Sequence, residues 1–155
     1  CFLPMTCAIS LSCLNKHNVT YVLIGEFAVN FYGYVRTTQD IDILIVPSTD
    51  NAKRTMMALK DFGFGSAGIP ETCFELESIA IHLGVEPNRI DLLTHLKGLS
   101  SAEVFARAKQ ISHEGVSFPV ISYQDLIRCK KESDRLKDLA DADELEKINA
   151  ERGWS

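Results

Sequence analysis

Asp40-Ile41-Asp42-Ile43-Leu44-Ile45-Val46 places two carboxylates in an otherwise apolar run. Side chains alternate across a strand, so the three isoleucines share one face and the two aspartates share the other, with their Cα atoms about 7 Å apart. Like charges held that close repel unless a cation lies between them. Magnesium fits the requirement: it prefers hard oxygen ligands, takes one or two carboxylates, and leaves its other positions to water and substrate phosphate. The same residues admit a plainer alternative, with Asp40 capping the strand and Asp42 facing solvent at a sheet edge.

The residues upstream favour the first reading. Thr20 to Ile24 is a β-rich run ending at Gly25, Glu26 to Tyr32 reads as a short helix stopped by Gly33, and Arg36 lies four residues before Asp40. A helix N-terminus offers free N–H groups and partial positive charge, both suited to phosphate. The Arg36 guanidinium suits a triphosphate or an aspartate bidentately, or else it is an exposed loop arginine. Chemistry for phosphate and chemistry for metal therefore lie within twenty residues of each other.

Stepping outward along the chain, the elements that position these groups alternate. A helix from about Cys7 to His17 precedes the first strand, and Pro47 stops the second before a helix from about Asp50 to Phe62. Strands are expected at Ser78 to Leu83 and Arg89 to Leu93. Ser100 with Glu103, and Ser122 with Asp125, mark capped helix starts. Between them, strands near Lys109 to His113 and Val116 to Ile121 flank a His-Glu-Gly turn. The last helix, from about Asp134 to Glu151, carries an apolar stripe of Leu136, Leu139, Ala142, Leu145 and Ile148. The pattern is that of an α+β fold, a sheet with helices packed on it.

Gly63-Phe64-Gly65-Ser66-Ala67-Gly68 matches the spacing of a dinucleotide loop, but it follows a helix and precedes Ile69-Pro70. That motif binds a cofactor only between a strand and a helix, so here it reads as a helix stop and a loop.

Composition bounds the rest. With 155 residues and 46% apolar content, one domain with a sizeable core is expected, spanning 1–155 with a core at 20–95 and a C-terminal hairpin and helices at 100–151. The net charge of −5 argues against broad nucleic-acid backbone binding. No apolar run approaches the roughly 20 residues that span a bilayer. The opening segment lacks the basic residues of a signal peptide and reads as a first helix, truncated or altered ahead of Cys1. Five cysteines without a C-x-x-C pair fit a reduced, cytoplasmic setting.

The run from Gly25 to Ile43, Gly25-Glu26-Phe27 through Gly33, Arg36 and Asp40-Ile41-Asp42, resembles the core motif of the nucleotidyltransferase superfamily, the DNA polymerase β-like fold. Within it the chain is similar to the small bacterial and archaeal nucleotidyltransferases related to AbiEii toxins. Arg89-Ile90-Asp91-Leu92-Leu93, Pro119-Val120-Ile121-Ser122 and the stretch from Lys130 to Leu145 carry the resemblance onward, over about Tyr21 to Leu145. It implies a mixed sheet flanked by helices, with further helices at the C-terminus. It also implies that Gly25 opens the helix cradling the triphosphate, that Asp40 and Asp42 bind one or two magnesium ions, and that Asp91 completes the metal site or takes the proton of the attacking hydroxyl. Glu77 is a weaker substitute for Asp91. Lys130 and Lys137 match a tail in which a lysine approaches nucleotide; on their own residues they read equally as surface pairs, Lys130 with Asp134 and Lys137 with Asp141. Asp138 and Asp141 either buttress the site from behind or, more simply, form a solvated helix face.

Glu26 departs from the family pattern, which has Gly or Ser there; a carboxylate either repels the polyanion or turns outward in the first helical turn. Tyr32 and Tyr34 suit base stacking or, more simply, the core. No role falls to His17, His82, His95 or His113. The expectation is a Mg²⁺-dependent transfer of NMP from NTP to an acceptor hydroxyl on tRNA, protein or a small molecule. The alternatives are a catalytically degenerate module that binds nucleotide or an antitoxin-like partner, and a metal-assisted phosphohydrolase.

Overall fold

The structure is a computed structural model that describes residues 5–35, 40–77, 79–85 and 88–154. Arg36, Ser78 and Cys1, each named above, lie outside the described residues. In chain order the elements are α1 (Met5–Lys16), β1 (Tyr21–Ile24), α2 (Gly25–Phe31), β2 (Ile41–Ile45), α3 (Thr49–Phe62), β3 (Ala80–Leu83), β4 (Ile90–Leu93), α4 (Ser101–Arg107), β5 (Lys109–His113), β6 (Val116–Val120), α5 (Tyr123–Glu132) and α6 (Leu136–Arg152). The loop after α3 also holds a 3₁₀ turn, Glu71–Phe74, whose Phe74 is buried. The six strands form one mixed sheet, the α+β fold expected, with spatial order β3-β4-β2-β1-β6-β5.

The two pairings that matter most are parallel: β2 with β4 and β1 with β6. β1 and β2 are antiparallel, as are β3 with β4 and β5 with β6. β2 is therefore an interior strand, which corrects the alternative that put Asp42 at a sheet edge. The β5–β6 turn falls where expected, with Glu114 and Gly115 both at positive φ, as a two-residue hairpin loop requires.

The isoleucine face of β2 packs as its alternation predicts. Ile43 lines a small apolar gap together with Ile90 and Leu92 of β4, Leu14 of α1 and Ala58, Leu59 and Phe62 of α3. α3 is fixed at both ends. Its start is capped by Ser48, whose hydroxyl accepts from the Asn51 N–H at 3.0 Å. Asn51 itself is buried and staples the helix to the sheet: its amide donates to the Thr20 and Val46 carbonyls at 2.9 and 2.8 Å and accepts from the Thr20 N–H at 2.7 Å. At the other end Gly63 adopts φ +106°, with its N–H bonded to the Lys60 carbonyl and that of Phe64 to Leu59. That is the glycine-terminated helix end read from the sequence, not a dinucleotide loop.

On the opposite face, α5 and α6 pack against each other beside α2. Ser122 and Ser100 cap α5 and α4 as their spacing predicts. Tyr32 is core: it is buried, donates from its hydroxyl to the Ile121 carbonyl at 2.7 Å, and meets Tyr123 and Trp154 edge to face. Tyr34 packs against the same core. The α6 stripe is half right, since Ala142 and Leu145 are buried whereas Leu136 is 83% exposed. No described helix is long and apolar enough to cross a membrane.

Candidate active-site cleft

The face of β2 opposite the isoleucines opens into a cleft of about 480 Å³ between the sheet and the α5–α6 pair. Gly25 and Asp42 line its sheet side, Leu93, Leu96, Ile121, Leu126 and Cys129 its apolar wall, and Lys97, Lys130, Arg135, Asp134 and Asp138 its charged side.

Asp42 and Asp91 are brought together by strand register. β2 and β4 run parallel with Asp42 directly opposite Asp91, so alternation aims both side chains at the same face. Asp42 is largely buried, beside the Asp91 carboxylate to which it is hydrogen-bonded, and near Glu26. Burial, then that neighbouring charge and shared bond, then Glu26, push its pKa up to about 6, with Lys130 acting in the opposite sense. Asp91 moves the other way. Burial would raise it, but His82 donates from Nδ1 at 2.7 Å, and the Arg89 guanidinium pairs with it at 2.8 Å and 3.1 Å, which together hold it below the usual carboxylate range. Arg89 thus steadies Asp91. His82, assigned no role from the sequence, is its second anchor. His82 sits opposite Asp91 across β3 and β4, a pairing hidden until the strand register is known.

Asp40 precedes β2, and its carboxylate accepts from the Arg89 backbone N–H at 2.8 Å, tying the start of β2 to the start of β4. Gly25 is glycine for a geometric reason. Its φ is +66°, and a Cβ there would lie only 2.0 Å from Oδ2 of Asp42, so the space a side chain would fill belongs to that carboxylate. Gly25 opens α2, as read. Glu26 is turned to Lys137 of α6, 3.3 Å away. Glu77 is exposed in a bend.

The C-terminal helices differ most from expectation. Lys130 is not a surface residue paired with Asp134, nor is Lys137 paired with Asp141. Lys130 is buried and clamped between Asp138 and Asp141, at 3.0 and 3.1 Å. Asp138 and Asp141 are likewise buried, not a solvated face. Burial alone would raise the Asp138 pKa; hydrogen bonds from Ser133, Arg135 and Lys130 outweigh it and bring it to about 2. Burial likewise opposes the Lys130 charge, and its two carboxylate partners restore it, leaving its pKa raised. The cluster locks α5 to α6 on the helical side of the cleft. Lys130, read as half of a surface pair, belongs to a buried ion cluster because the helix pair turns that face inward, whereas Lys137 stays exposed.

Among the described residues no group of three or more His, Cys, Asp or Glu side chains is arranged to hold a metal ion. The donors brought together are two acids, Asp42 and Asp91, the second already paired with Arg89 and His82. That donor chemistry fits magnesium, whose sites commonly take one or two carboxylates and complete themselves with water and phosphate.

The model of a protein family described as nucleotidyl transferase of unknown function (DUF2204) matches residues 5–155. The chain belongs to that family. No curated protein matches it. The match spans every element of the fold, so the sheet, the cleft and the α5–α6 clamp all lie within the family domain.

Proposed function

We propose that this nucleotidyltransferase-family protein transfers an NMP group from an NTP to an acceptor hydroxyl, releasing pyrophosphate, with magnesium held at Asp42 and Asp91 and Asp40 beside them. The observation that carries the reading is the in-register Asp42–Asp91 pair, of which Asp42 lies against Gly25 and lines a cleft that Lys97, Lys130 and Arg135 also line. Magnesium, when bound, neutralises charge on the reacting and leaving phosphate oxygens. The protein's own part is positional. Arg89 and His82 fix the Asp91 carboxylate, Gly25 leaves room for that of Asp42, and the apolar wall from Leu96 to Cys129 shields the nucleoside from water. Arg36 belongs to the phosphate side of this reading. The acceptor classes consistent with the chemistry are a tRNA end, a protein hydroxyl and a small molecule, in a cytoplasmic setting.

Glu26 supports a second reading, a degenerate module that binds nucleotide or an antitoxin-like partner, as the likeness to AbiEii-related proteins suggests. Its charge adds to that of Asp42 where a triphosphate would lie, although Lys137 is drawn onto it. Incubating the protein with each α-labelled NTP, magnesium and a cell extract tests both. Transfer of label to a macromolecular or small-molecule fraction, lost in Asp42→Asn, supports the enzyme. Unchanged labelling by Asp42→Asn contradicts it, and binding without labelled product favours the module.

A further inference from the structure

Among the described residues three cations line the cleft, and they differ in what holds them. Lys130 is 9% exposed and is shared by two buried carboxylates; if it turned to a ligand, Asp138 and Asp141 would lose their common counter-ion in a low-dielectric setting. Arg135 is itself 76% exposed, but its partner at 2.8 Å, Asp138, is buried, so turning the guanidinium to a ligand would also take a bond from a buried acid. Lys97 is different. It is 63% exposed, and its partner, Asp134 at 3.4 Å, is 95% exposed, so both charges are solvated and the pair contributes little. The two sit on opposite lips of the cleft, Lys97 in the turn after β4 and Asp134 in the connection from α5 to α6. The Lys97 turn is held in place: Leu99 N–H bonds to the Leu96 carbonyl, and Gly98, at φ +77°, lies against Glu132 at the end of α5.

From this contrast we propose that Lys97 is the cation that contacts the triphosphate of a bound NTP, and that Asp134 competes with the phosphate for it. The proposal rests on the nucleotidyltransferase reading above and deepens it. It moves the phosphate contact from Lys130, which serves as a post between α5 and α6, to a lysine that no motif singled out. A triphosphate exchanges a solvated carboxylate for several charged oxygens at no cost in buried ion pairs, whereas recruiting Lys130 would strand two acids.

The test is equilibrium binding of the magnesium complex of α,β-methylene-ATP, with adenosine as the phosphate-free control, to the wild type and to Lys97→Ala, Lys97→Gln, Asp134→Asn and the Lys97→Ala/Asp134→Asn double variant. Expected are a roughly tenfold loss for the analogue in both lysine variants with adenosine binding unchanged, and a gain of a few-fold in Asp134→Asn that vanishes in the double variant. Unchanged analogue affinity in the lysine variants overturns the assignment. So does an equal loss for adenosine, or an Asp134→Asn gain that persists without Lys97. A wild type that binds no analogue at all overturns the nucleotidyltransferase reading and this assignment with it, so the two failures are told apart by the wild-type titration.

Discussion

Asp42 and Asp91 face each other across the parallel β2–β4 pair, one protonating readily and the other held ionised by Arg89 and His82. The folded state binds the Asp42 proton more tightly than the unfolded state does, since its pKa stands at about 6, above the ordinary carboxylate value. Stability without metal therefore falls as pH rises from about 4 to 6 and then levels. Asp42→Asn keeps the hydrogen bond to Asp91 without the charge. It is expected to stabilise the metal-free protein at pH 7.5 by on the order of 1–2 kcal/mol while abolishing transfer. Urea unfolding at pH 5 and 7.5 checks this, and a variant less stable than wild type at pH 7.5 contradicts it.

The clamp on Lys130 makes the opposite prediction for acid. Asp138 has its pKa lowered to about 2, so its contribution is complete above the ordinary carboxylate range and is lost as pH falls from about 4 through 2. Asp138→Asn leaves Lys130 only Asp141 and should cost roughly 3 kcal/mol at pH 7, with a shallower loss of stability between pH 4 and 2 than in the wild type. Far-UV circular dichroism during acid titration reads the difference.

Gly25 and Asp42 compete for one space. Gly25→Ala adds a Cβ that meets the Asp42 carboxylate at 2.0 Å, on top of the strain of a positive φ. The variant should lose about 2–4 kcal/mol, and combining it with Asp42→Ala should return the steric share but not the backbone share. A double-mutant cycle measured by denaturant melts tests this, strict additivity being the result that refutes it.

Asn51 bears weight out of proportion to its size. Asn51→Ala leaves the Thr20 N–H and the Thr20 and Val46 carbonyls without their side-chain partner, and the expected loss is about 2–4 kcal/mol. Asp50→Ala, one residue earlier and exposed, should change stability by less than about 1 kcal/mol. Thermal melts of both variants make the comparison.

Glu26→Gly tests the departure at the helix start. It removes a charge close to Asp42 and frees Lys137, so affinity for magnesium-bound ATP should rise several-fold. An unchanged dissociation constant would show that Glu26 stays on Lys137 and out of the ligand's way.

Much of this was legible because it rests on local periodicity. The two-residue alternation of β2 put Asp42 on the face opposite the isoleucines, and Ser100 and Ser122 stand where capping chemistry calls for a hydroxyl; the Ser48 cap was not read from the sequence. The errors share a cause. Lys130, Asp138 and Asp141 are charged residues on helices, and charge on a helix reads as solvent until a second helix covers it; the α5–α6 contact is tertiary and leaves no local signature. His82 reaches Asp91 only through the β3–β4 register, and Asn51 in the first turn of a helix looks like ordinary N-terminal chemistry. Leu136 failed in the other direction, since apolar periodicity extends a turn further than the packing that uses it.

The parallel pairing of β2 with β4 has a consequence in time. Two strands running the same way cannot be joined by a tight turn, so α3 and β3 are both made in between, and the acids meet only after that whole crossover has docked. A ribosome that has just released β2 has made half a site, and the apolar wall that Ile121, Leu126 and Cys129 contribute arrives later still. The Asp42–Asp91 pair and the apolar wall that faces Asp42 therefore cannot come together before α5 has been synthesised.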